Sequence, residues 1–267
     1  MILGIDIGGT NTRLVLYDCE DFRVLDKILS SQKNIEGLSG RINRIVESYG
    51  INAIGIGIAG WVKDGRIIKT PNINGTIKFD LTAPYILEND ANCFAYGFYK
   101  LLADSKIKNI VCITVGTGIG CGIVIDGKIY RGKGLAGELA HIVIEKGRIC
   151  SCGGRGHLES YFSGWSLEEQ FKKPIKEVMR ENIEEFYRLR EVDIFIKSIA
   201  NLILVLDPNA IVFGGGIGMN FDKKVVEEML RDYILPEFDT EVIILKDEDM
   251  VAKGAIFLAK ETFYWLI

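Results

Sequence analysis

Histidine is almost missing from this chain. Its 267 residues hold two, His141 and His157. Proline is scarce, at five residues, and no Ser/Gly-rich linker interrupts the sequence, so any two lobes must be joined closely. There is no basic excess either. A formal net charge of −4 argues against a nucleic-acid partner, which calls for a basic face. No apolar run approaches the roughly 20 residues of a membrane-spanning helix; the longest, Ile199–Leu206, contains Asn201 and stops at Asp207-Pro208. Nor does the start of the chain show the basic, apolar and small-residue pattern of a secretory leader. These absences lead to the expectation of a cytoplasmic protein with no membrane and no nucleic-acid partner. The hydrophobic content of 48% is ample for a core, and the length suits one large domain or two modest ones.

Both histidines fall in one stretch, 137–159, GELAHIVIEKGRICSCGGRGHLE. The only closely spaced cysteines, Cys150 and Cys152, fall there too, with Glu138 and Glu159 just outside the four. Two thiols and two imidazoles at this density point to a closed tetrahedral zinc site. Gly153, Gly154 and Gly156 let the backbone turn around such a site. A disulfide across so short a ring would be strained. Two ordinary buried cysteines and two surface histidines are the bland alternative. The remaining cysteines, Cys19, Cys93, Cys112 and Cys121, are far apart in apolar segments and read as buried free thiols.

Glycine marks three further places. The strand ILGIDI, 2–7, breaks at Gly8-Gly9-Thr10-Asn11-Thr12-Arg13 and resumes at 14–18. Backbone N–H groups and the hydroxyls of Thr10 and Thr12 at such a tip can cradle phosphate, and Asp6 just before it is placed to hold hydrated Mg²⁺. Residues 110–130 repeat this design at an offset of 108: Ile5 falls on Ile113, Gly8 on Gly116 and Asp18 on Asp126. The second tip is Gly116-Thr117-Gly118-Ile119-Gly120. The strand AIVF, 210–213, runs into Gly214-Gly215-Gly216, which suits an adenosine site where backbone packs on a flat base. A further strand ends at Glu88-Asn89-Asp90 ahead of a helix over 91–102, and ligands gather at such strand ends in α/β sheets. On local pattern Asp90 could equally be a plain helix N-cap. Other helices are expected over 35–49, 192–206, 220–231 and 250–263, and 167–190 reads as a solvated helical region. The repeat implies two α/β lobes of related topology, each offering a hairpin to a common cleft.

The segments DIGGTNTR (6–13), ENDAN (88–92), VGTGIGCGIV (115–124), GELAH (137–141), CSCGGRGHLE (150–159) and FGGG (213–216) occur in the order found in ROK-family sugar kinases. Over nearly its whole length the chain resembles this family, which is part of the actin/hexokinase/Hsp70 ATPase superfamily. The resemblance implies two ribonuclease-H-like lobes with a ligand cleft, assigned here to 1–105 (with 250–267 packing back on it) and 106–249, which carries the zinc motif. It implies ATP and Mg²⁺ in that cleft, a structural Zn²⁺, and phosphorylation of a hexose, with glucose to glucose 6-phosphate as first choice. Fructose, mannose, N-acetylmannosamine and N-acetylglucosamine are the alternatives. By position, Asp90 matches the family's general base and Asn89 a sugar contact. Glu138, His141 and Glu159 match residues that bind sugar hydroxyls, and His141, Cys150 and Cys152 match zinc ligands. His157 stands where the family usually has a third cysteine, so the set becomes Cys₂His₂. The chain is shorter than most members between Glu159 and Asp207, a region that often serves oligomer contacts, and a homodimer is left open. A non-catalytic sugar sensor on the same fold would be expected to lack Asp90 or the glycine tips; both are present.

Overall fold

The structure, a computed structural model, describes residues 1–30, 37–71, 73 and 77–266. In chain order it contains β1 (Ile2–Ile7), β2 (Asn11–Tyr17), β3 (Phe22–Leu29), α1 (Leu38–Tyr49), β4 (Ala53–Ile58), β5 (Trp61–Lys63), β6 (Arg66–Lys69), β7 (Tyr85–Asn89) and α2 (Asp90–Leu101). There follow β8 (Ile110–Val115), β9 (Ile119–Ile125), β10 (Lys128–Ile129), α3 (Gly164–Phe171), α4 (Ile175–Glu181), α5 (Ile183–Tyr187) and α6 (Arg190–Leu206). The chain ends with β11 (Ala210–Gly214), α7 (Gly215–Gly218), α8 (Lys223–Arg231), β12 (Glu241–Ile244) and α9 (Met250–Thr262). The first helix is described from Leu38; residues 35 and 36 of the expected span lie outside the described residues. No helix among the described residues is long and apolar enough to cross a membrane.

The chain divides into two compact units. The first comprises Met1–Lys106, Gly127–Ala136 and Asp249–Ile267, and the second Ile107–Asp126 and Gly137–Glu248.

In the first unit the sheet order is β3-β2-β1-β4-β7. β1, β4 and β7 run parallel, with Ile7 beside Ile58 and Ile58 beside Asn89. Their alternate residues face helices on both sides, which is why ILGIDI and AIGIGI read as continuous apolar runs rather than alternating ones. One face packs against α1 through Leu38, Ile42 and Val46. On the other face α9 comes so close that side chains are excluded. A Cβ on Gly4 would overlap the Ala252 carbonyl, one on Gly55 the Ala255 carbonyl, and one on Gly254 the Cys93 carbonyl of α2. Glycine is present there because backbone meets backbone.

The second unit repeats the arrangement, with strand order β9-β8-β11-β12. Its core holds a cluster of phenylalanines among the aliphatic side chains. Phe162 stacks on Phe195 with centroids 4.3 Å apart, and Phe213 meets Phe221 edge-on at 5.6 Å. The stretch 167–190, expected to be solvated, folds as α3, α4 and α5 and buries Leu167, Ile175, Met179 and Phe186. Its charges occupy the outer faces of short amphipathic helices, and the sparse apolar residues between them do the packing.

A second correction concerns Cys19. It is exposed, not buried. It lies in the turn between β2 and β3 with φ of 86°, and the apolar strand stops at Tyr17.

The offset of 108 holds for the bounds of both hairpins, but their closures differ. β1 and β2 close with Ile7 opposite Thr12, leaving four residues in the turn, whereas β8 and β9 close with Val115 opposite Ile119, leaving three. Gly8 N–H donates to Asn11 O and Gly116 N–H to Gly118 O, each at 3.0 Å. One residue of difference changes which side chains face each other across each ladder.

The α9 contacts generate a direct test. Gly55→Ala would drive a methyl into the Ala255 carbonyl, and backbone cannot yield as a side chain can. A loss of about 3 kcal/mol is expected, read as a lowered urea midpoint with unchanged slope. A midpoint equal to wild type would show that α9 is not seated on β4 as described.

Candidate active site and metal centre

In the first unit the parallel strands end together, and the acidic residues lie at that end. Asn89 closes β7 and is the N-cap of α2: its side-chain oxygen accepts from Asn92 N–H at 3.0 Å. Asp90 is therefore the first helical residue and not the cap. The Asn89 amide donates to Gly60 O at 3.0 Å and to Asp90 Oδ1 at 3.1 Å, so it orients the carboxylate beside it.

Burial pushes the Asp90 carboxyl up to about 6, against hydrogen bonds from the backbone of Ala91 and Asp90 and from Asn89 that favour the charged form. Burial pushes Asp6 up to about 7; the Asp90 charge raises it further, Arg13 opposes, and Asp249 adds to the rise. Two carboxyls desolvated together at a sheet end match the profile of a site that takes up a proton or a cation.

Three residues not singled out in the sequence complete this corner. Glu88, 7% exposed, accepts from Asn89 N–H at 2.9 Å and from Asn92 Nδ2 at 3.0 Å through Oε1. Its Oε2 accepts from Arg131 Nε at 2.7 Å. Glu88, Asn92 and Arg131 thus hold the β7–α2 junction around Asp90. The acidic residue inside ENDAN was the available signal for Glu88; Arg131 comes from a distant segment and had none.

The first glycine tip, Gly8 to Asn11, adjoins Asp6. Thr10 is exposed there. Thr12 is fully buried, with its hydroxyl 2.9 Å from Ser30 Oγ, and Ser30 N–H donates to Thr10 O at 2.9 Å. The two threonines therefore differ: one is presented at the tip and the other ties the tip to the end of β3.

In the second unit Gly116-Thr117-Gly118 is gripped from behind. Gly164 N–H donates to Gly116 O at 2.9 Å and Trp165 N–H to Thr117 O at 3.0 Å, so the first turn of α3 holds the carbonyl side of the tip. A Cβ on Gly164 would overlap Gly116 O. Gly214 and Gly215 lie beside the strand that leads into this tip, and Gly216 faces the Lys176 side chain. Gly214 pairs with Thr114, and Gly215, at φ of 78°, lies against the Val115 backbone.

Glu159 is 4% exposed and reaches this tip. Its Oε2 accepts from Ile119 N–H at 3.3 Å, and its Oε1 accepts from Ser151 Oγ at 2.9 Å. Glu138 Oε2 lies 3.7 Å from His141 Nε2.

The loop before Glu159 is a small knuckle. Ile144 N–H donates to Gly156 O and Gly156 N–H to Arg148 O, both at 2.8 Å, while Cys150 and Gly154 pair at 2.9 Å. These bonds bring His141, Cys150, Cys152 and His157 together, with one donor atom from each inside a span of 4.8 Å. Cys150 Sγ is 3.7 Å from His141 Nδ1, and Cys152 Sγ is 3.3 Å from His157 Nδ1. Such separations and a Cys₂His₂ donor set fit a tetrahedral metal with sulfur and nitrogen ligands at about 2.3 and 2.0 Å. With its Nδ1 toward the thiols, His141 turns its other nitrogen toward Glu138.

The raised carboxyls predict a pH signature. Unfolded, both titrate near the ordinary value of 3.8; folded, they titrate at about 6 and 7. Between those limits the folded chain binds more protons. The stability these groups contribute is complete below about pH 4 and is lost as pH rises through their folded values. Without metal or nucleotide, the melting temperature is expected to fall between about pH 4 and 7, and Asp90→Asn to flatten part of that fall. An unchanged slope in calorimetry would mean that Asp90 is not desolvated.

Comparison with known proteins adds a consistent picture. The ROK family model matches residues 2–262. The N-acetyl-D-glucosamine kinase of Haemophilus influenzae is 29% identical over 261 residues, covering 83% of this chain and 86% of that protein. Among solved structures, a ROK family glucokinase from Streptomyces griseus in complex with glucose and AMPPNP superposes with a TM-score of 0.76 at 28% identity, over 97% of this chain and 99% of that one. The ROK hexokinase of Thermus thermophilus gives 0.77 at 27%, over 98% and 99%.

Proposed function

The chain belongs to the ROK family of the actin-like ATPase fold, as an ATP-dependent sugar kinase, and we propose that it phosphorylates a hexose, glucose first, at its primary hydroxyl. The observation that carries this reading is Asp90: a desolvated carboxylate at a strand end, oriented by Asn89 and followed by a helix.

Phosphoryl transfer asks for positioning and charge neutralisation more than for covalent chemistry. Asp90 accepts the proton of the attacking hydroxyl as that oxygen moves in line with the γ-phosphorus. With its carboxyl at about 6, it is largely ionised at neutral pH and able to do so. The tips at Gly8–Thr10 and Gly116–Gly118 receive phosphate oxygens through backbone N–H groups and the hydroxyls of Thr10 and Thr117. Thr12 supports the first tip from within. Gly214–Gly216, where β11 passes into α7, receive the adenosine against bare backbone. Mg²⁺, when bound near Asp6, supplies neutralisation of the phosphate charge. Glu138 and Glu159 bind the sugar hydroxyls as acceptors, and His141, with Nδ1 given to the metal, offers its Nε2–H as a donor.

The Cys₂His₂ group holds zinc in this reading, and the metal's part is to keep the 150–157 knuckle closed so that His141 and Glu159 stay in place. A second choice of substrate, an N-acetylated hexosamine, is favoured by the likeness to the Haemophilus influenzae N-acetyl-D-glucosamine kinase.

The test is ADP release from Mg-ATP over a panel of glucose, mannose, fructose, N-acetylmannosamine and N-acetylglucosamine. Wild type is expected to turn over glucose best, with kcat/KM rising as pH passes through about 6. Asp90→Asn is expected to lose roughly 10²–10⁴-fold in kcat while still binding sugar. A near-normal rate in that variant would remove Asp90 from the role.

Zinc removal is a separate experiment. Chelation is expected to lower the melting temperature and raise the sugar KM together. Full activity in protein proved metal-free by elemental analysis would dismiss the metal's part.

A further inference from the structure

Between the two cysteines of the knuckle stands Ser151, a residue that neither chelates nor packs. It is exposed, yet its hydroxyl turns inward and donates to Glu159 Oε1 at 2.9 Å. We propose that Ser151 positions Glu159 for the sugar, which makes the spacer of the C-x-C motif a determinant of sugar affinity in this chain.

Glu159 needs such help. A buried carboxylate is held in one orientation only by the donors that surround it. Ile119 N–H, at 3.3 Å, holds Oε2 and is part of the second hairpin. Ser151 is the close oxygen donor on Oε1; Cys150 Sγ lies farther off, at 3.9 Å. Each carboxylate oxygen offers two lone-pair sites, so Oε2, which accepts from Ile119 N–H, still has capacity for a substrate hydroxyl. Removing the Ser151 donor frees the carboxylate to rotate about its bond to Ile119 N–H, away from the direction in which a sugar hydroxyl would find it.

The serine hydroxyl can do this because its own backbone is fixed on both sides. Gly153 N–H donates to Cys150 O, and Cys150 N–H to Gly154 O, each at 2.9 Å. The donor atoms of Cys150 and Cys152 both face the His141 and His157 group. With the reversal held at Cys150 and both thiols turned to the histidines, the intervening hydroxyl reaches Glu159 Oε1. Because Ser151 is solvent-exposed, its truncation removes a hydrogen bond and little packing. Its effect is therefore expected in binding rather than in folding.

The inference rests on the reading of Glu159 as a sugar ligand, and the experiment separates the two. Full-length zinc-replete wild type, Ser151→Ala, Ser151→Thr and Glu159→Gln are compared by titration calorimetry with glucose and with N-acetyl-D-glucosamine as probes. Steady-state kinetics, zinc content and melting temperature are measured alongside. Ser151→Ala is expected to bind sugar about tenfold more weakly, with KM raised in step and kcat within about twofold. Zinc content and melting temperature are expected to stay at wild-type values, and Ser151→Thr to restore the affinity. Wild-type affinity in Ser151→Ala, with affinity lost in Glu159→Gln, would overturn the proposal and leave Glu159 as a ligand. Wild-type affinity in Glu159→Gln would overturn the reading of Glu159 itself. Loss of zinc or of melting temperature in Ser151→Ala would make the serine a structural residue and overturn the proposal by another route.

Discussion

A carboxylate taken out of water has to be compensated, protonated or bound to something, and the first unit is arranged around that demand at Asp90. Its carboxyl is raised by burial to about 6 and kept from rising further by backbone donors and by Asn89. Asn89 can serve because Gly60 O and Asn92 N–H hold its amide from two other directions. Glu88, buried next door, is answered by Asn92 and Arg131. Every polar group in this chain of contacts orients the next, so the carboxylate is placed before any substrate arrives. Preorganisation of this kind is what a phosphoryl-transfer site requires, since the reaction offers the protein little covalent chemistry to perform.

Close backbone approach is the second theme. At α9 glycines let a helix lie directly on β1 and β4. At the second hairpin Gly164 lets the start of α3 grip the carbonyls of Gly116 and Thr117. The first hairpin has a four-residue turn stitched to Ser30, and the second a three-residue turn stitched to α3. Two glycine tips of common pattern are thus stabilised by different neighbours.

The knuckle at 142–158 illustrates how a segment with little core is kept in shape. Ile142, Val143 and Ile149 are exposed, and Leu158 and Ile144 tie the segment to the core. Cross-bridging backbone hydrogen bonds set its form, and four soft or borderline donors converge at one end. Arg148 adds a clamp, stacking over Tyr161 and reaching Glu191 and Ser160 O. Glu159 follows directly from this segment and reaches the second hairpin through Ile119 N–H, so the knuckle and a glycine tip share one buried side chain.

Much of this was legible in the residues themselves. Apolar runs bounded by glycine marked β1, β4, β8 and β11, and the offset of 108 related the two hairpins, because strand periodicity and turn glycines are local properties; β2 and β9 nevertheless begin at Asn11 and Ile119, inside the stretches that read as tips. The Cys/His stretch could be read as one ligand set because the chain has no other histidine. Other features depended on partners far away in sequence. Register across a hairpin is decided by the turn and by what grips it, so the three-residue closure at Gly116 could not be read from its likeness to Gly8. Thr10 and Thr12 look equivalent in sequence, and only Ser30 and strand alternation separate them. Apolar residues among charges at 167–190 read as solvated until short helices gathered Leu167, Ile175 and Phe186 onto a core. Arg131 and Ser151 carry no motif. They matter because folding brings a cation to Glu88 and a hydroxyl to Glu159, and the need for either exists only once those carboxylates are buried.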